Sequence, residues 1–216
     1  MQFLRKDFSN RIIIGIIYAS IFLSTALAKE IFFLIILLGF FLIKSLFEFY
    51  NITRKTNSIL IEFLLPIIYI LIPISCIFLI KFQFENNLLA YLLTLTWISD
   101  TSAFIIGKLF GKIKLSNISP NKTIEGLIGS LVICTLTGPF IITYLNIELK
   151  TNLYLLSFFI SASGNFGDYL ESRLKRKFNQ KDSGTILMSH GGILDRIDSL
   201  LISGPLFYYI LNRTLN

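Results

Sequence analysis

Residues 59–80 read ILIEFLLPIIYILIPISCIFLI, with Glu62 as the one charged side chain. A stretch of about 18 or more apolar residues is long enough to cross a bilayer as a helix. Comparable runs recur at Ile12–Leu27, Ile31–Phe49, Leu88–Ile106, Ile124–Leu145, Leu153–Tyr169 and Ile197–Leu211. Of the 216 residues, 54% are hydrophobic and 21 are Phe, while only 15% are charged. Ordinary soluble domains carry about 25% charged residues, so a soluble core is a poor alternative. The expectation is all-α: a polytopic membrane helix bundle of about seven transmembrane helices, forming one integral membrane domain over residues 1–216. Pro66 and Pro73 should bend the segment that holds them, and Pro205 lies inside the last segment.

The net charge is +7, but the basic residues fall between apolar segments. They therefore read as topology signals and as attraction to anionic lipid, and nucleic acid is not an expected partner. With an inner N-terminus and seven alternating helices, Arg5, Lys6, Arg11, Lys44, Arg54 and Lys55 lie inside. So do Lys108, Lys112, Lys114, Lys122, Arg173, Lys175, Arg176, Lys177, Lys181 and Arg196. Lys29, Lys81, Lys150 and Arg213 are left for the outer loops, one each. That bias predicts a cytoplasmic N-terminus. Ala26-Leu27-Ala28 resembles a signal-peptidase site, but the next apolar run starts at Ile31 and suits a helical hairpin better. Cys76 and Cys134 lie in separate apolar runs without metal-ligand spacing and read as buried apolar residues.

Three polar clusters interrupt the pattern, all at the inner face. The first spans Trp97 to Lys112. Asp100 lies within a spanning segment, where a carboxylate is costly and functional by default. Gly107 and Gly111 permit close helix packing. The second cluster is SNISPNKTIEG, Ser116 to Gly126. Lys122 and Thr123 precede a helix and suit a phosphate at its N-terminus. Ordinary capping by Asn121 or Thr123, with Glu125 in the first turn, explains the pattern equally well.

The third cluster runs from Gly164 to Asp198 and holds the longest polar run, ESRLKRKFNQKDSGTILMSHGGILDRID, from Glu171 to Asp198. Asp168, Glu171, Ser172 and Lys175 share one helix face. Asp195 and Asp198 are three apart and share another if the last segment is already helical there. Carboxylates at the mouths of neighbouring helices, among Lys and Arg, suit magnesium and a phosphorylated substrate. His190-Gly191-Gly192 forms a turn whose backbone can approach a ligand. One His and two remote Cys do not make a zinc site, and no nucleophilic triad is present.

These residues resemble a known family. Ser172-Arg173-Leu174-Lys175-Arg176, then Lys181-Asp182-Ser183-Gly184, then His190-Gly191-Gly192-Ile193-Leu194-Asp195-Arg196-Ile197-Asp198 looks like the signature of phosphatidate cytidylyltransferases, the CDP-diacylglycerol synthases. Met188 stands where that signature usually has Pro or Gly. Asp100-Thr101-Ser102-Ala103-Phe104, Ser119 to Gly126 and Gly167 to Ser172 resemble the family too. The likeness covers the second half, so residues 87–216 read as the catalytic half and residues 1–86 as generic membrane helices.

The resemblance implies transfer of CMP from CTP to phosphatidate, with Mg2+ as cofactor, a homodimer and a bacterial-type inner membrane with the active site facing the cytoplasm. It makes Asp168, Asp195 and Lys175 the expected catalytic residues, with Asp168 and Asp195 as metal ligands. Expected at the substrates are Asp100, Ser119, Asn121, Lys122, Thr123, Glu125, Ser172, Arg176, Lys181, Asp182, His190, Gly191, Gly192, Arg196 and Asp198. Three other readings stay open on sequence: a CTP-dependent membrane lipid kinase, which would need a base for its hydroxyl acceptor, a small transporter with Asp100 and Asp168 on an ion path, and a catalytically inactive scaffold.

Overall fold

The computed structural model describes residues 17–54, 63–84, 86–116, 118–180, 183–184 and 192–215. Seven helices and no strand are found among them. They are α1 (Ile17–Leu27) and α2 (Phe32–Thr53), α3 (Ile67–Gln83), α4 (Asn86–Phe110), α5 (Ile124–Tyr144), α6 (Leu153–Lys177) and α7 (Leu194–Leu215).

Among the described residues, α2, the stretch Asn87–Phe110 of α4, and α5 are long and apolar enough to cross a membrane. Their outer faces agree with that. On α5, Ile128, Val132, Leu136 and Phe140 lie four apart and are exposed, as are Phe40, Ile43 and Phe47 on α2. Such stripes are a liability in water but the normal surface in lipid. Polar residues dilute α6 and α7, and several of them point inward: Ser157, Ser161, Glu171 and Lys175 on α6, and Asp198, Ser199 and Ser203 on α7, are buried.

The expected bend in the third segment takes the form of a wide turn. Ile67–Leu71 is π-helical, and the Ile72 N–H bonds the carbonyl of Ile67, five residues back. Pro73 has no N–H to offer Tyr69, so the regular ladder fails there and the helix widens.

α4 is the central element. Leu88, Leu89, Ala90, Tyr91, Leu92, Leu93 and Leu95 are all buried, and α4 packs most extensively on α5 and also on α6. Small polar groups stitch these helices. The Tyr91 and Ser157 hydroxyls lie 2.8 Å apart and those of Ser99 and Ser161 2.7 Å apart. Asn165 Nδ2 donates to Ser99 Oγ at 3.0 Å and to Ser130 Oγ at 3.1 Å. Interhelical bonds of this kind replace the hydrophobic drive that is missing between helices in lipid.

Two close approaches set the geometry of the inner end. A Cβ on Gly126 of α5 would fall 2.6 Å from the carbonyl of Ala103 on α4. A Cβ on Gly167 of α6 would fall 2.5 Å from the carbonyl of Asp198 on α7. Only glycine lets these backbones meet so closely, and the second contact brings Asp168 alongside Asp198. α6 then runs past its apolar part to Lys177 and closes on Asn179, whose φ of 56° is left-handed.

Candidate active site

The segment between α4 and α5 folds back as a tight loop. Lys114 bridges Thr123, the Leu115 N–H donates to the Lys122 carbonyl at 2.8 Å, and the Ile124 N–H donates to the Ile113 carbonyl at 3.0 Å. Thr123 is the N-cap of α5, its hydroxyl accepting the Gly126 N–H at 3.1 Å. Glu125 accepts the Ile113 N–H at 3.1 Å. Thr123 therefore has the capping role and occupies an N–H group that an anion would need, while Glu125 ties the loop at Ile113 to the first turn of α5.

Lys122 projects from this loop and forms an ion pair with Asp168 of α6. Both line a cleft of about 450 Å³ that also takes in Asp100, Gly107, Lys108, Ser119, Asn121, Thr123 and Asn165. Its size falls in the usual range for small-molecule sites, about 300–1,000 Å³. Asp100 faces the cleft and accepts from the Ser199 hydroxyl at 3.3 Å. Six of the expected site residues thus meet here: Asp100, Ser119, Asn121, Lys122, Thr123 and Asp168. Lys108 and Asn165 are additions. Asn165 was legible as a polar residue in an apolar segment, one turn before Asp168.

Asp168 also joins a second group. One carboxylate oxygen each from Asp168, Glu171 and Asp198 lies within 4.8 Å of the others. Glu171 Oε1 is buried and has no hydrogen-bond partner among the described residues. Three hard oxygen donors converging on one point, one of them an orphan, fit a divalent cation such as magnesium. Of the two expected ligands, Asp168 belongs to this group. Asp195 is engaged beside it: Oδ1 pairs with Lys175, while Oδ2 accepts from the Gly192 N–H at 2.7 Å, from the Ser183 N–H at 3.1 Å and from the Ser183 hydroxyl at 2.9 Å.

Lys175 sits between Asp195 and Glu171, 2.6 Å from the latter. Burial and the charge of Asp195 push the Glu171 carboxyl up to about 8, with Lys175 opposing. Burial also acts to raise Asp195, but hydrogen bonds from Glu171, Lys175 and the Gly192 N–H outweigh it and hold the group at about 2. The Lys175 ammonium is disfavoured by burial but raised on balance by Glu171 and Asp195. Native Glu171 therefore keeps a proton that an unfolded chain releases above its ordinary value of 4.5. The stability of metal-free protein should fall as pH rises from about 5 to about 8. Asp195 adds no slope in that window, because it is ionised in both states. Thermal unfolding in detergent with chelator should show the decline, and Glu171→Gln should make it shallower. Stability that rises over this range would contradict the assignment.

The remaining expected residues are placed as follows. Ser172 is half-exposed on α6. Arg176 donates to the carbonyls of Gln180 at 2.9 Å and Ile118 at 3.4 Å, tying α6 to the α4–α5 loop. Arg196 is exposed on the first turn of α7. Asp198 is buried, and Gly192 is buried beside Asp195. Lys181, Asp182, Met188, His190 and Gly191 lie outside the described residues.

This chain is similar to several known proteins. A phosphatidate cytidylyltransferase of Rickettsia prowazekii (strain Madrid E) is 37% identical over 223 residues, covering 97% of this chain and 95% of that protein. One from Staphylococcus haemolyticus (strain JCSC1435) is 46% identical over 125 residues, 56% of this chain and 47% of the relative. One from Bacillus subtilis (strain 168) is 40% identical over 131 residues, 60% of this chain and 49% of the relative. In these last two alignments the chain spans about half the length of the relative. The sequence model described as the Cytidylyltransferase family matches residues 9–214, and on that extent the chain belongs to the cytidylyltransferase family.

Proposed function

We propose that this chain is a magnesium-dependent phosphatidate cytidylyltransferase, joining CTP and phosphatidate to give CDP-diacylglycerol and pyrophosphate. The observation that carries the reading is the shared position of Asp168. It pairs with Lys122 in a cleft of ligand size and belongs at the same time to the carboxylate group of Glu171 and Asp198.

Asp168, Glu171 and Asp198 would hold the metal. Bound there, magnesium supplies charge withdrawal from the phosphates and from the departing pyrophosphate. The chain's own residues do the rest. The ammonium groups of Lys122 and Lys108 offset the repulsion between two polyanionic substrates in the cleft. Lys175, fixed between Glu171 and Asp195, neutralises the carboxylates behind the metal position. A phosphatidate oxygen attacks the α-phosphorus of CTP in line. The new P–O bond forms as the bond to the β-phosphate oxygen breaks. The attacking phosphate is already ionised at neutral pH, so the chain need not supply a general base.

The reading extends to topology. Seven helices cross a bacterial inner membrane from a cytoplasmic N-terminus, the cleft opens to the cytoplasm, and the protein works in the bilayer as a homodimer. The bias of basic residues toward one set of loops supports this orientation. Cysteines introduced at Lys29 and Lys150 should react with an impermeant reagent from outside; labelling only from the cytoplasmic side would overturn it. The activity itself is tested with purified protein, CTP and phosphatidate. A CDP-lipid should form, need both substrates and vanish with chelator.

A further inference from the structure

Glu48 is the one acidic residue of α2 and is 2% exposed. Its carboxylate reaches across the bundle to the entrance of α7. Oε1 accepts the Ile193 N–H at 2.9 Å, and Oε2 accepts the Leu194 N–H at 2.9 Å. Ser183 Oγ lies 3.2 Å from Oε2. Leu194 opens α7, so an acid from a distant helix caps the positive end of this one.

The next residue but one along from Ile193 is Asp195, and it grips the same segment from the other side. Glu48 and Asp195 both contact Ser183, and Asp195 also holds the Gly192 N–H. Glycines make the closure possible: a Cβ would come 2.8 Å from Glu48 Oε1 at Gly184 and 2.4 Å from Oε2 at Gly192. Burying a carboxylate is expensive, and an apolar side chain would serve packing alone at lower cost. What only the carboxylate provides is a fixed direction for two adjacent backbone N–H groups. That direction sets where α7 begins, and with it how Asp195 meets Lys175 and how Asp198 meets Asp168 and Glu171.

We propose that Glu48 is a positioning residue for the reaction, fixing the start of α7 so that Asp195 and Asp198 are correctly aimed. The proposal rests on the functional reading above. Glu48→Gln keeps the size but turns one oxygen into an amide that cannot accept from an N–H. Misplacement of about 1 Å can cost on the order of a hundredfold in rate, so kcat should fall at least about tenfold. KM for CTP and for phosphatidate should stay within about twofold, because the cleft lining is untouched. Glu48→Asp should recover part of the lost kcat, and Glu48→Ala none. Amide exchange at Ile193 and Leu194 should quicken in Glu48→Gln while protection in α4 and α5 holds.

Each alternative result decides against the proposal. Wild-type kcat in Glu48→Gln, no recovery in Glu48→Asp relative to Glu48→Ala, or kcat loss that only follows a shrinking folded fraction would overturn it. So would unchanged exchange at Ile193 and Leu194. An active wild type with an unaffected Glu48→Gln variant sinks this proposal alone. A folded wild type that makes no CDP-lipid sinks the functional reading and this proposal with it.

Discussion

Asp168→Asn should cut CDP-lipid formation by on the order of 10³-fold while leaving the fold intact. Two losses combine. The carboxylate is one of three converging on the proposed cation position, and an amide is a weaker, uncharged donor. It is also the partner of Lys122 at the cleft, so the ammonium group loses the contact that aims it. The stability cost should be small, within about 1 kcal/mol, because both side chains are roughly a third exposed. Turnover in micelles with labelled CTP, read beside a thermal scan, separates the two effects. Raising magnesium should not restore the rate. A variant with wild-type turnover would remove Asp168 from the site.

Asp195→Asn should damage both turnover and stability. Its two oxygens serve Lys175 on one side and Ser183 and Gly192 on the other. An amide cannot accept on both sides. Whichever way it turns, an N–H2 group faces either the Lys175 ammonium or the backbone N–H groups. The side chains of Lys175 and Asp195 are only 11% and 13% exposed, and breaking a buried pair costs about 3–5 kcal/mol. Turnover should fall by about a hundredfold, as when a group that orients metal-site residues is lost. The thermal scan should show a clearly lower midpoint than for Asp168→Asn. Equal stability of the two variants would contradict the placement of Asp195 inside the Lys175 network.

Much of this was legible in the sequence because membrane helices declare themselves locally. The apolar runs marked the elements, and the structure moves mainly their ends: α6 continues through its charged turn to Lys177, and α7 begins at Leu194. The face formed by Asp168, Glu171 and Lys175 was readable from spacing alone, and Glu171 and Lys175 do meet. The α4–α5 loop was also readable, though Thr123 proves to be a cap.

What the sequence withheld depends on contacts between distant segments. The division between Asp195, locked to Lys175, and the group of Asp168, Glu171 and Asp198 arises where Gly167 lets α6 and α7 touch. No periodicity encodes that. Glu48 was hidden for the same reason. It is a single acid in an apolar helix, and its partners lie in the opposite half of the chain. The signal was its cost: a lone carboxylate in an apolar segment needs partners somewhere.

The central claim is cytidylyl transfer to a lipid phosphate, and the fate of the label in CTP tests it most directly. Purified protein in micelles with phosphatidate and magnesium is given CTP labelled at the α-phosphate or at the γ-phosphate. The account predicts that the α-label enters the lipid, the γ-label leaves as pyrophosphate, and chelator stops both. Transfer of the γ-label to lipid with release of CDP, or no labelled lipid from folded protein, would contradict it.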